Sequence, residues 1–148
     1  MSVYLLDVNV LLALSWPKHT AHAVAQRWFA RNAARGWATC PFVEAGFVRI
    51  LSNPAFSAYA VTPKEALEAL EITTQHPAHR FWPDDLGVAE ALAGLKNRLY
   101  GHQQVTDAYL LGLAMHHKGK LATLDQRLAE MLADVPSERH FIEHIGSP

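Results

Sequence analysis

Residues 3–6, Val3-Tyr4-Leu5-Leu6, form an apolar run just long enough for one buried strand, and the run stops on a carboxylate, Asp7. A strand without polar alternation has to be covered on both faces, which asks for a parallel sheet packed between helices. The rest of the chain repeats this grammar. Residues 8–14 read as a short helix closed before Pro17, and Ala21, Val24, Ala25, Trp28 and Phe29 mark a second helix over about 20–34, stopped by Gly36. Residues 37–40 are a second strand candidate. Pro41 suits the first turn of a helix running to about Leu51, before Asn53-Pro54. Thr62-Pro63-Lys64-Glu65 is a capping box, and its helix should end near Gln75. A third strand is expected at 80–82 and a helix from Pro83-Asp84-Asp85 to about Leu99. A further helix over 105–117, a fourth strand at 120–123, a helix over 127–132 and a short last strand within 140–145 complete the order. The expectation is one α/β domain over residues 1–148, with a short parallel sheet of four or five strands and helices on both faces.

With 148 residues, half of them hydrophobic, the chain can bury one proper core. Cys40 is the only cysteine, so no internal disulfide forms, no zinc-finger pattern is present, and a reducing, cytoplasmic setting is expected. The apolar start is not expected to be a signal sequence, because Asp7 interrupts it and no Lys or Arg precedes it. No apolar run approaches the ~20 residues that span a bilayer, so no membrane partner is expected. The net charge of -1 gives no basic field for nucleic acid, so any chemistry on such a substrate must come from a local site.

In open α/β sheets, ligands bind beyond the carboxyl ends of the strands. Four acids pass that positional test. Asp7 ends the first strand, Glu44 lies in the first turn of the helix opened by Pro41, Asp107 starts the helix near Val105, and Asp125 follows the fourth strand. Each is flanked by apolar residues. Asp107 or Asp125 taken alone is more often a helix cap than a ligand; an acid ending an apolar strand, as Asp7 does, has few structural uses. Carboxylates gathered together repel and need a counter-charge. All-oxygen donors favour Mg2+ or Mn2+ over zinc, and such a metal assists phosphodiester hydrolysis.

The segments Leu5-Leu6-Asp7-Val8-Asn9-Val10-Leu11-Leu12, Pro41-Phe42-Val43-Glu44, Val105-Thr106-Asp107-Ala108-Tyr109-Leu110 and Leu121-Ala122-Thr123-Leu124-Asp125 resemble, in order, the four motifs of PIN-domain ribonucleases. The length is closest to the VapC-type toxins of bacterial toxin–antitoxin pairs. The resemblance implies a Mg2+- or Mn2+-dependent endoribonuclease with Asp7 and Asp107 as the chief metal ligands and Glu44 and Asp125 completing the catalytic pocket. It also implies an RNA substrate, a small antitoxin partner and a homodimer, with Asn9 and Thr123 supporting the carboxylates. Many family members carry Ser or Thr after the first Asp, where this chain has Val8.

Other features point elsewhere and more weakly. The pairs His19/His22, His76/His79 and His140/His144 lack the further ligands a zinc site needs. Trp16, Trp28, Trp37 and Trp82 could stack bases, but packing is the simpler role; Cys40 has no histidine placed to activate it. Arg49, Arg80, Lys96 and Arg98 are candidate phosphate contacts, with a solvated face as the plainer reading of each. A haloacid-dehalogenase-type phosphatase needs an acid two residues after the first Asp, where this chain has Asn9. A nucleotide-binding module lacks its Gly-rich loop, a receiver-type signalling domain lacks its acid pair at the start of the chain, and a catalytically silent PIN-like RNA-binding protein would have no use for four acids.

Overall fold

A computed structural model describes residues 2–56 and 61–146. Five strands, β1 (Tyr4–Leu6), β2 (Trp37–Thr39), β3 (His79–Phe81), β4 (Lys120–Thr123) and β5 (Ile142–His144), form one sheet in the order β3-β2-β1-β4-β5, and every neighbouring pair is parallel. The middle of the sheet is apolar because neither face sees water: Leu5 and Leu6 of β1, Ala38 of β2, and Leu121 and Ala122 of β4 are fully buried. Burying one such leucine contributes about 1.5–3 kcal/mol.

The helices fill the crossovers. α1 (Val8–Ser15) and α2 (His22–Asn32) join β1 to β2, and α3 (Pro41–Leu51) and α4 (Pro63–Thr73) join β2 to β3. α5 (Val88–Leu92) and α6 (Val105–His116) lead to β4, and α7 (Arg127–Met131) and α8 (Pro136–Arg139) lead to β5. Right-handed crossovers put α1 to α4 on one face and α5 to α8 on the other. Because β1 leads to β2 on one side and β4 is its neighbour on the other, the winding reverses between β1 and β4. A crevice opens at such a reversal, beyond the strands' carboxyl ends.

Local chemistry explains most boundaries. Thr62 Oγ1 accepts from the Glu65 N–H at 3.1 Å while Glu65 accepts from the Thr62 N–H at 3.0 Å, which makes the expected capping box at α4. Gly36, at φ 125°, turns the chain into β2 where a Cβ would meet the Val3 side chain at 3.0 Å. The helix expected from 83 to 99 is much reduced. Residues 83–87 stay irregular, α5 begins only after Gly87, and a 3-10 segment, Ala93–Arg98, takes over. Two glycines, Gly87 and Gly94, weaken helix there, and the Asp85 carboxylate is held by His117 instead of capping a helix. The short helix α8 was not expected, and the last strand is confined to three residues.

Candidate active site at the sheet's switch point

Asp7 is positioned twice over. Its N–H donates to the Ala122 carbonyl at 2.9 Å, which extends the β1–β4 pairing by one step, and its carboxylate caps α1. Oδ1 accepts from the Val8 N–H at 2.7 Å, and Oδ2 accepts from the Thr123 hydroxyl at 2.8 Å. The side chain is buried, which raises its pKa; the two hydrogen bonds work against that rise, and the Asp125 charge adds to it.

Asp107 sits in the first turn of α6, a helix whose following residues Ala108, Tyr109, Leu110 and Leu111 are all buried. Burial, and then repulsion from the ionised Asp7 and Asp125, push its pKa up to about 7, against a smaller pull from Arg127. Asp125 behaves in the opposite way. Arg127 grips it through Nη2–Oδ2 at 2.7 Å, Nε–Oδ2 at 3.0 Å and Nε–Oδ1 at 3.1 Å, and this pairing lowers its pKa. The loop between β4 and α7 is fixed further by Thr123, whose hydroxyl accepts from the Asp125 N–H at 3.1 Å, and by Asn9, whose Oδ1 accepts from the Leu124 N–H at 3.3 Å. Thr123 thus supports a carboxylate directly, whereas Asn9 holds backbone.

The fourth acid, Glu44, has its own hydrogen-bond partner. Glu44 Oε2 accepts from the Thr39 hydroxyl at 2.6 Å, and His79 Nε2 lies 2.7 Å from that same Thr39 Oγ1. A hydroxyl has one proton, already given to Glu44, so His79 Nε2 carries the hydrogen it shares with Thr39. Desolvation lowers the His79 pKa, with the Glu44 charge pulling the other way.

A cavity of about 290 Å³ opens beside Asp107 and Arg127, lined also by Tyr100, His102, Gln103 and Gln104. Tyr100 is 85% exposed at its rim. Neither this segment nor Arg127 was singled out from the sequence; a basic residue two positions after Asp125 was the available signal. Three of the four tryptophans pack inside the protein. Trp37 is fully buried, Trp28 donates to Glu143, and Trp82 stacks on His117. Cys40 is buried with its thiol pushed up to about 12, which keeps it from acting as a nucleophile. Arg98 is engaged by Asp134 at 2.6 Å.

Asp7, Asp107 and Asp125 are hard oxygen donors that repel one another electrostatically, and such donors suit a divalent cation of the Mg2+ type better than zinc. Asp7 keeps free lone pairs, since each oxygen takes one hydrogen bond.

The PIN-domain family model matches residues 4–132. Ribonuclease VapC39 of Mycobacterium tuberculosis is 46% identical over 126 residues, which are 85% of this chain and 91% of the relative. Ribonuclease VapC38 of the same organism is 43% identical over 121 residues, 82% of this chain and 84% of the relative. Two solved structures share the fold. VapC20 of M. tuberculosis, described as a Sarcin-Ricin loop cleaving toxin, superposes with a TM-score of 0.63 at 16% identity, covering 86% of this chain and 93% of that one. VapBC2 from Rickettsia felis, bound to a promoter DNA fragment, superposes at 0.63 and 13% identity, covering 97% and 99%. The four motifs at the sheet's carboxyl edge, the matched model over residues 4–132 and the 46% identity to a VapC ribonuclease agree: the chain belongs to the PIN-domain family.

Proposed function

We propose that this chain, acting as one domain over residues 1–148, is a metal-dependent endoribonuclease and the toxin of a VapBC-type pair in the cytoplasm. The observation that carries this reading is the pairing of buried Asp7 with Asp107, whose carboxyl is pushed up to about 7 by burial and by its acidic neighbours. Two carboxylates in such a setting bind a cation in exchange for relief of their repulsion. Asp7 and Asp107 hold Mg2+ or Mn2+, and Asp125 completes the acidic wall. When bound, the cation stabilises charge on the phosphate and favours ionisation of the attacking water.

The remaining roles fall to the chain's own side chains. Glu44, oriented by Thr39, holds the attacking water or takes its proton. Arg127 has an exposed guanidinium suited to a phosphate oxygen once it leaves Asp125. Tyr100 offers an exposed ring on which a base can stack. An RNA substrate is supported by relatives named as ribonucleases, and an antitoxin by the likeness to a VapBC assembly. The antitoxin binds near the acidic groove, and the toxin forms a homodimer.

The test is cleavage of RNA by the purified protein in Mg2+, Mn2+ or EDTA, with the cut sites mapped. Cleavage is expected with either metal and lost in EDTA; undiminished cleavage in EDTA overturns the metal role. Expression of the chain alone should slow bacterial growth, with relief when the small neighbouring open reading frame is co-expressed. Harmless expression of the intact chain removes the toxin role and leaves the nuclease.

A further inference from the structure

At the opposite end of α6 from Asp107, three potential metal ligands converge. Asp85 comes from the irregular segment after β3, and His116 and His117 close α6. Both imidazole Nε2 atoms approach one carboxylate oxygen, Asp85 Oδ1, at 3.0 Å for His117 and 3.7 Å for His116. Among the described residues this is the one group of three or more His, Cys, Asp or Glu side chains with ligand atoms all within 4.8 Å of one another. We propose that Asp85, His116 and His117 form a second metal site, separate from the acidic pocket and selective for a borderline divalent ion of the Zn2+, Ni2+ or Co2+ class.

The geometry supports this in three ways. Zinc–nitrogen and zinc–oxygen bonds run about 2.0–2.2 Å, so tetrahedral neighbours lie roughly 3.3 Å apart. The two His–Asp85 separations straddle that value, and the two imidazoles' ligand atoms lie within 4.8 Å of each other. Next, one ligand is already fixed: the His117 ring stacks on Trp82 with centroids 4.6 Å apart and planes 15° from parallel, and Trp82 is itself buried. The His116 ring stands at 83° to the His117 ring, so the two nitrogens reach the carboxylate from different directions. Finally, the His116 and Asp85 side chains are 42% and 45% exposed, which leaves a path for the ion and room for water at a fourth position.

Two imidazoles and one carboxylate favour zinc-class ions over Mg2+, the reverse of the all-oxygen pocket. In the metal-free state His117 Nε2 carries the hydrogen shared with Asp85, since a carboxylate only accepts. Binding the ion at Nε2 leaves the neutral ring's proton on Nδ1, exchanged through solvent. The bound ion ties the segment after β3 to the C-terminal end of α6.

The test is calorimetric titration of Zn2+, with Co2+ absorption as a second readout, on the full chain and on His116→Gln and Asp85→Asn. Both residues are exposed, so neither change threatens the core, and any Zn2+ taken up by the acidic pocket is common to all three proteins. Losing an outer-shell partner already weakens metal sites about 10–100-fold; losing a direct ligand should weaken this one at least as much. The expected result is one equivalent of Zn2+ present in the full chain and weakened by that factor in both variants, with RNA cleavage in Mg2+ unchanged. Equal Zn2+ uptake by all three proteins overturns the site and leaves an ordinary hydrogen bond at a helix end.

Discussion

The Thr123 hydroxyl donates to Asp7 Oδ2 at 2.8 Å and accepts from the Asp125 N–H at 3.1 Å, so one side chain at the end of β4 sets the geometry of two acids. Thr123→Val keeps the shape but removes both bonds. Leaving buried polar groups unpaired costs about 1–3 kcal/mol, and loss of a partner orienting a ligand weakens metal binding about 10–100-fold. Thermal melts and Mn2+ titration should show both losses, and Thr123→Ser should restore most of the metal affinity. Unchanged metal affinity in Thr123→Val would remove Thr123 from the site.

Asp7→Asn and Asp107→Asn should each reduce RNA cleavage by more than about 100-fold, since even outer-shell changes at metal sites cost up to about that much. Asp107→Asn should also leave the metal-free protein as stable as before or more so near pH 8, because it removes a charge that burial and two neighbouring acids oppose. Near-normal cleavage in either variant would end the assignment of these residues as ligands.

Asp107 gives the metal-free protein an unusual pH response. Its folded-state pKa, about 7, lies above the ordinary 3.8, so between these values the folded state binds more protons than the unfolded one. This contribution to stability is complete below about pH 4 and declines as pH rises toward 7. Metal binding needs the ionised form, so Mg2+ affinity should climb through the same range and level off above pH 7 to 8. Isothermal titrations at pH 5.5, 6.5, 7.5 and 8.5 test this; a flat affinity would show that Asp107 is ionised throughout.

Arg127→Gln frees the Asp125 carboxylate from its guanidinium clasp. Divalent-metal affinity should rise, since a cation no longer competes with an arginine. RNA affinity should fall, and the slope of its salt dependence should shrink by about 1 if the guanidinium meets a phosphate. An unaltered salt slope would confine Arg127 to its partnership with Asp125.

Glu44→Gln retains an oxygen to accept from Thr39 but cannot take a proton. If Glu44 acts on the attacking water, kcat should drop about 10²–10⁴-fold, while RNA affinity measured in Ca2+ changes little. Equal losses in binding and turnover would make it a substrate-placing residue instead.

The sheet and its acidic edge were legible in the sequence because the strands are short, apolar and ended by turn or cap residues, as at Leu6-Asp7 and Thr123-Leu124-Asp125. Parallel strands covered on both faces leave little else for such runs to do. The segment from 83 to 104 was poorly legible, since its Gly87 and Gly94 compete with a modest apolar pattern and Asp85 is claimed by a distant His117. The link from Glu44 through Thr39 to His79 depends on β2 and β3 being neighbours, which spacing along the chain does not reveal. Arg127 was overlooked because its importance comes from the turn that folds it back onto Asp125.

The position of β1 at the middle of the sheet sets the time at which this protein can become active during its own synthesis. Asp7 is made well before its partner Thr123, which lies 116 residues later, and the pocket needs β4 beside β1. At about 5–20 residues per second, translation separates the two by roughly 6–23 s. Through that interval the ribosome carries a chain that gains Glu44 and Asp107 but has no pocket, because β4 is not yet beside β1. A protein that attacks RNA is thus built so that its template is read through β4 before the chain can cut anything.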